Sequence, residues 1–135
     1  MMSSEIRVAL LLSDFSCEPA QLTEIVGIRP TRVWKIGDVN PKSGVAYRSS
    51  GWMLDAPSGS GDDLDTRTRW LLDRAAAEIH QLERVTKSWS VKLYCSVYTS
   101  GDRPPLFLSA PTVQRLASVG AAIDVDLFVT VHDGE

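Results

Sequence analysis

The stretch LDTRTRWLLDRAAAEIHQLERVT, residues 64–86, decides the predicted fold, because it is a long amphipathic segment. Apolar or small side chains recur in it at steps of three and four residues, which places them along one side of an α-helix. These residues are Leu64, Thr68, Leu71, Leu72, Ala75, Ile79, Leu82 and Val85. A helix over residues 64–86 would be about 34 Å long, as long as a small domain is wide. We therefore expect the other elements to pack along its apolar side.

Both ends of this helix are marked in the sequence. Three aspartates, Asp62, Asp63 and Asp65, crowd the expected first turn, where carboxylates accept free amide hydrogens and suit the positive end of the helix dipole. Arg84 and Lys87 lie at the expected negative end. The 59–61 Gly-Ser-Gly segment before the helix superficially suggests an anion site, but the aspartates that follow it would repel a phosphate.

The overall composition fits one globular domain over residues 1–135. Hydrophobic residues make up 44% of the chain and charged residues 23%, both ordinary values. The formal net charge is −3, which argues against a general nucleic-acid or acidic-membrane binder. No apolar run approaches the roughly 18 residues that a membrane helix needs. We expect neither a nucleic-acid nor a membrane partner.

The cysteine and histidine content indicates neither a disulfide framework nor a metal site. The chain has two cysteines, Cys17 and Cys95, without C-x-x-C spacing, and its two histidines are too few for a usual zinc site. We interpret both cysteines as reduced thiols. The N-terminus lacks the basic region of a signal peptide. These observations favour a cytoplasmic protein with no cofactor and no metal.

Outward from the long helix, alternating and turn-bounded segments predict an α+β fold. Pro19 and Gly27 suit the first position and the terminator of a short helix. Gly51, inside a predicted strand, indicates a bulge or a close backbone approach. The predicted strands cover residues 6–15, 31–36, 45–55, 89–99, 106–108 and 123–131, and the predicted helices cover 19–26, 64–86 and 111–119. A hairpin turn is expected at 100–105. This order predicts a ferredoxin-like βαββαβ core extended by βαβ, a mainly antiparallel sheet with its helices on one face.

Several short motifs resemble those of one bacterial family. The most distinctive is Gly27-Ile28-x-Pro30-Thr31-x-x-Trp34-x-x-Gly37-Asp38. With Trp52-x-Leu54, Leu71-Leu72, Leu106-x-Leu108-Ser109, Leu116-Ala117-x-x-Gly120-Ala121 and Asp124-x-Asp126, it is similar to the family called "domain of unknown function 4279". The resemblance covers nearly the whole chain in order. It implies no activity, catalytic residue or cofactor. Its members are similar to proteins found near bacterial toxin systems, which implies an immunity or antitoxin-like role.

The first candidate site is aromatic. Trp34 and Trp52 come from neighbouring predicted strands, so they would either form an aromatic wall for a ligand or partner peptide, or close the sheet edge as core residues. Arg32, Lys35, Asp38 and Arg48 lie nearby in sequence and are candidates for polar groups around such a pocket, or for a solvated edge.

Two further candidates lie on predicted strands. Asp124 and Asp126 share a strand face, where they would hold a cation or contact a partner. Alternatively, Asp126 would pair across strands with Lys92 or Arg7, or satisfy a chain turn. The rings Tyr94, Tyr98 and Phe128 would be exposed if all helices cover the other sheet face, and exposed rings of this kind typically mark an interface. Otherwise a bent sheet or a loop covers them.

No residue pattern predicts catalysis. Nothing in the sequence places His80 or His132 beside a nucleophile, and there is no phosphate loop and no G-x-S-x-G motif. The enzyme question therefore stays open and leans towards no enzyme. We expect a binding protein, immunity-like, whose partner is another protein (toxin-like) or a second copy of itself. A small-molecule-sensing domain is the alternative.

Overall fold

The computed structural model describes residues 4–101 and 106–130. The strands are β1 (Ser4–Ser13), β2 (Arg32–Trp34), β3 (Gly51–Asp55), β4 (Ser90–Thr99) and β5 (Ala121–Val129). The helices are α1 (Pro19–Val26), α2 (Leu64–Ile79) and α3 (Ala110–Ser118), with 3₁₀ turns at Ser58–Ser60 and Leu82–Arg84.

The described strands form one sheet in the order β2-β3-β1-β4-β5. Three of its pairings are antiparallel, and β4 and β5 are parallel. The connections through α1 and α2 each skip one strand, since β3 lies between β1 and β2, and β1 lies between β3 and β4. The connection through α3 joins direct neighbours. An α+β fold with a mainly antiparallel sheet is thereby confirmed.

The helices cover one face of the sheet, as predicted. α2 lies over β1 and contacts both α1 and α3. The apolar stripe predicted from the sequence faces the core, with Val85 partly buried and the other members buried. These helix residues pack with alternate residues of the central strands: Ile6, Val8, Leu10, Leu12, Val91, Leu93, Cys95 and Val97.

The strand predicted at 106–108 does not form. β4 already has β1 on one side and β5 on the other, so no free edge of β4 remains for a hairpin strand. Leu106 and Phe107 are instead exposed in the approach to α3. The hairpin turn predicted at 100–105 lies largely outside the described residues. The extension of the core is therefore α3 and β5 alone.

The long helix is shorter than predicted. α2 ends at Ile79, and the chain continues through the 3₁₀ turn at Leu82–Arg84, which keeps Leu82 fully buried. The buried Thr86 follows, and its hydroxyl accepts the Ser16 N–H (3.1 Å) and donates to the Ser88 carbonyl (3.0 Å). The apolar spacing continues through the tighter turn, so periodicity alone does not reveal where the α-helix ends.

Candidate functional site

The sheet face turned away from the helices carries a shallow depression of about 880 Å³. We call this surface the open face. Strand alternation places on it residues that pair across neighbouring strands, such as Arg32 with Met53 and Ala9 with Asp55. Among the residues lining the depression are Arg7, Arg32, Trp34, Asp55, Tyr94, Tyr98 and Phe128. The surface therefore combines aromatic rings with charges of both signs.

Trp34 forms an aromatic platform at the β2 end of the open face. Its ring stacks on Tyr47, with centroids 5.0 Å apart and planes 22° apart, and its Nε1–H donates to the Ser49 carbonyl (3.1 Å). A Cβ atom on Gly51, its partner in the β-ladder, would lie only 2.0 Å from the ring. The group that approaches Gly51 is therefore a side chain, the Trp34 ring, and not the backbone that the sequence predicted. The Arg32 guanidinium lies over the Trp34 ring, 4.8 Å from its centroid.

A second platform lies at the β4–β5 end. Tyr98 and Phe128 pair in register and stack, with centroids 4.9 Å apart and planes 14° apart. The Arg7 guanidinium lies 5.3 Å from the Tyr98 centroid, and its Nε is 3.3 Å from a Glu5 carboxylate oxygen. Tyr98 and Phe128 are 38% and 47% exposed, so these rings face solvent.

Asp55 lies between the two cation–ring pairs. Burial raises the pKa of its carboxyl above the ordinary value, while the guanidinium groups of Arg32 and Arg7 act in the opposite direction. Both arginines are thus near enough to influence this carboxyl. Ring, cation, carboxylate, cation and ring follow one another across the sheet. We call these residues the diagonal track: Trp34, Arg32, Asp55, Arg7 and Tyr98.

The length of the diagonal track follows from the strand register. Trp34 pairs with Gly51, which in turn pairs with Ser13 of β1, and Tyr98 pairs with Glu5 of β1. The two ends of the track are therefore eight residues apart along β1 and three strand spacings apart across the sheet. At about 3.3 Å per residue and about 4.8 Å between strands, the ends of the track are roughly 30 Å apart. One small molecule cannot reach both rings, whereas an extended chain can.

The two aspartates of β5 have partners on β4. Lys92 Nζ lies 3.5 Å from Asp124 Oδ2, and the Tyr94 hydroxyl donates to Asp126. That hydrogen bond, together with burial, raises the pKa of Tyr94. The pairing of Asp126 with Lys92 or Arg7 that the sequence suggested is therefore wrong, because Lys92 pairs with Asp124 and Arg7 pairs with Glu5.

The predicted wall of Trp34 and Trp52 does not form. Trp34 pairs with Gly51, and Trp52 pairs with Val33, at consecutive positions of the β2–β3 ladder. Side chains at consecutive positions face opposite sides of the sheet. Trp52 is fully buried under α1, and its Nε1–H donates to the Thr23 hydroxyl (3.0 Å). Of the two tryptophans, Trp34 alone belongs to the open face.

Of the polar candidates near Trp34, Arg32 lies on the open face and the others lie elsewhere. The Asp38 carboxylate accepts the Lys35 N–H (2.9 Å) and so holds the turn after β2. Arg48 lines a smaller depression of about 490 Å³ with Asp14 and Phe15. His80 is exposed at the end of α2, and His132 lies outside the described residues. The predicted residues that the structure brings onto the open face are thus Arg32, Trp34, Tyr94, Tyr98, Asp126 and Phe128.

Arg7 and Asp55 were not among the predicted site residues. Arg7 interrupts a strand that is otherwise nearly all apolar, and this charge in a central strand was the available signal for a solvent-facing side. The importance of Asp55 depends on the pairing of β3 with β1, which no local pattern reveals.

Across residues 4–101 and 106–130, no three His, Cys, Asp or Glu side chains gather as metal ligands. None of the helices described is long and apolar enough to cross a membrane. Both cysteines are free thiols, as predicted.

Comparison with known proteins gives one positive result. No curated protein matches the chain. No solved structure matches it either. The family described as "Domain of unknown function (DUF4279)" matches residues 4–130, which is nearly the whole chain and includes both ends of the diagonal track. The chain therefore belongs to this family, the one that its sequence motifs resemble.

Proposed function

We propose that this protein is a binding protein that recognises another protein through its open face. The diagonal track is the observation that carries the proposal. Exposed arginine and aromatic side chains are the types that dominate protein interfaces, and here they line one uncovered sheet face. The fold would be a ferredoxin-like core extended by α3 and β5.

The geometry of the track supports an extended segment as the bound element. A span of roughly 30 Å matches about nine residues of extended chain. The Arg7 and Arg32 guanidinium groups would donate hydrogen bonds to carboxylates of that segment, and its apolar side chains would pack on the two ring platforms. Following the family resemblance, we propose a bacterial toxin-like protein as the partner and the cytoplasm as the place of binding.

The charges on the open face favour a protein over a nucleic acid. Glu5, Asp55, Asp124 and Asp126 lie among or beside the rings, where a phosphate backbone would meet them. The net charge of −3 acts in the same direction. A protein segment with both acidic and apolar side chains suits this mixture better.

A capture experiment with matched variants tests the proposal. The full chain is used as bait in a lysate of its source organism at physiological salt, beside an Arg7→Ala/Arg32→Ala double variant. Arg74→Ala is the control. The Arg74 guanidinium lies 3.9 Å from the Trp70 ring centroid, so this substitution removes a similar cation–ring pair on α2. We expect a protein that the wild type and the control retain and the double variant loses. Equal capture by all three baits would contradict the proposal.

A small-molecule-sensing domain is the second candidate. The depression of about 880 Å³ lies within the usual range of ligand pockets, roughly 300–1,000 Å³, and this volume favours the alternative. A thermal-shift screen distinguishes the two, since a ligand at 100 times its dissociation constant adds about 2.7 kcal/mol of stability. A stabilising hit that Arg7→Ala abolishes would support sensing, and a screen without such hits would count against it.

A further inference from the structure

The two edges of the sheet differ strongly. β2 has three residues and is flanked by charged side chains, which is how proteins protect an edge against unwanted pairing. β5 has nine residues, and among the described residues no strand pairs with its outer side. The two aspartates of β5 are paired with Lys92 and Tyr94 of β4, and its outer backbone groups are left for another strand. Long edges of this kind are sites of strand addition.

The β5 edge also exposes an apolar row on the helix side of the sheet. Four alternate residues form it, and Leu127 and Val129 are 58% and 56% exposed. The members of this row are Ile123, Val125, Leu127 and Val129. Every copy of the chain carries this same apolar row, so a second copy offers it a matching surface.

The backbone of the same row points outward. The Thr130 N–H donates to the Thr99 carbonyl on β4 (2.9 Å), so the even-numbered residues of this segment direct their backbone groups towards β4. Because these directions alternate along a strand, the odd-numbered residues direct theirs to the free edge. The residues that expose apolar side chains are therefore those that offer unpaired N–H and C=O groups.

We infer that β5 pairs antiparallel with β5 of a second copy, which joins two five-stranded sheets into one. A two-fold axis perpendicular to the sheet keeps the helices of both copies on the same side, so the apolar rows meet. Centring the pair on Leu127 sets Val125 opposite Val129 of the other copy. It also sets Asp124 opposite Thr130, and Asp126 opposite Phe128. Centring it on Val125 would oppose Asp124 and Asp126, and like charges directly opposite are destabilising.

This inference stands apart from the proposed function, because the apolar row lies on the helix side of the sheet and the diagonal track lies on the open face; of the β5 residues named, Asp126 and Phe128 belong to both the seam and the open face. Its test is the molar mass of the full chain in solution, measured by sedimentation equilibrium. We expect a dimer for the wild type and a monomer for Leu127→Lys, which places a charge in the apolar row. Val33→Lys is the control, since Val33 is 45% exposed on the opposite edge strand, and it should remain dimeric.

The register has its own test by disulfide formation. In a Cys17→Ser background, Leu127→Cys should give a covalent dimer on oxidation, because directly paired residues have Cα atoms about 5.5 Å apart, within disulfide reach. Val125→Cys should not give a covalent dimer, because residue 125 of each copy lies opposite residue 129 of the other, and the two introduced cysteines are far apart. A monomeric wild type would overturn the inference. So would a Leu127→Lys variant that remains dimeric, or a Val33→Lys variant that becomes monomeric. Equal cross-linking at 125 and 127 would overturn the register.

Discussion

Asp65 joins the beginnings of two helices. It lies in the first turn of α2, is 7% exposed, and accepts the backbone N–H of Ser109 (2.8 Å) at the start of α3. Arg69, one helical turn later, contacts its other oxygen at 3.2 Å. Burial would raise the pKa of Asp65, but the hydrogen bonds from Ser109 and Thr112 and the charge of Arg69 hold it below the ordinary value.

Replacing Asp65 tests this junction. Asp65→Ala leaves the Ser109 N–H without its partner, so we expect a loss of about 1–3 kcal/mol in the free energy of unfolding, measured by urea titration at neutral pH. Because the folded pKa lies below the unfolded one, the contribution is complete above the unfolded pKa, about 3.9, and is lost as the pH falls through the folded pKa. The difference between wild type and variant should therefore shrink in acid.

The neighbouring Asp62 is the control for Asp65, since it is exposed before the same helix. Asp62→Ala should change stability by no more than about 0.5 kcal/mol. The free energy of unfolding of the wild type and of Asp65→Ala is compared as the pH is lowered. If their difference stays constant into acid, the ionised carboxylate is not the source of the stability.

Gly51 is the second decisive residue, because it leaves the space that the Trp34 ring occupies. Gly51→Ala forces the ring off the sheet, and we expect it to cost roughly 1–3 kcal/mol of unfolding free energy. In a Trp34→Ala background the same change should cost almost nothing. The double-mutant cycle in urea measures this coupling, and additive effects would show that the ring is not what restricts residue 51.

At the scale of elements, α2 holds the layers together because its buried stripe faces both the sheet and the other helices. Leu71 is fully buried at its centre. Leu71→Ala should lower the free energy of unfolding by about 2–5 kcal/mol. Val113→Ala, at an exposed position of α3, should change it by no more than about 0.5 kcal/mol. Chemical denaturation of both variants checks the pair, and similar losses would contradict the assigned burial.

The elements also show how far local sequence information reaches. α1 was predicted with its bounds as observed, because Pro19 and Gly27 mark its two ends chemically. The short strand at 106–108 was predicted from composition, but whether a strand forms depends on a free partner, and β5 had already taken that place. Strand formation at an edge is a property of the sheet, which a local pattern does not contain.

The candidate site divides in the same way. The exposure of Tyr98 and Phe128 followed from strand alternation and from helices on one face. The separation of Trp34 from Trp52 depended on the register of β2 against β3, since a shift of one residue reverses every side chain. The track through Asp55 required the order of four strands, which no spacing within the sequence fixes.

At the scale of the whole molecule, Cys95 reports on global unfolding. It is fully buried in β4, and burial, with a smaller effect of Asp124, raises the pKa of its thiol to about 11. Since the thiolate is the reactive form, an alkylating reagent should modify Cys95 only when the whole sheet opens. Cys17 is partly exposed and should react first. Mass spectrometry across a urea series checks this order, and equal rates without urea would contradict it.

Within residues 4–101 and 106–130, three helices close one sheet face and no element covers the other. The central claim is that a partner binds this open face. Hydroxyl-radical footprinting of the free and the partner-bound chain tests it most directly. We predict that Trp34, Tyr98 and Phe128 are oxidised in the free chain and protected in the complex, while Trp70 on α2 remains as reactive as before. Protection of Trp70 with no change at the three open-face rings would contradict the claim.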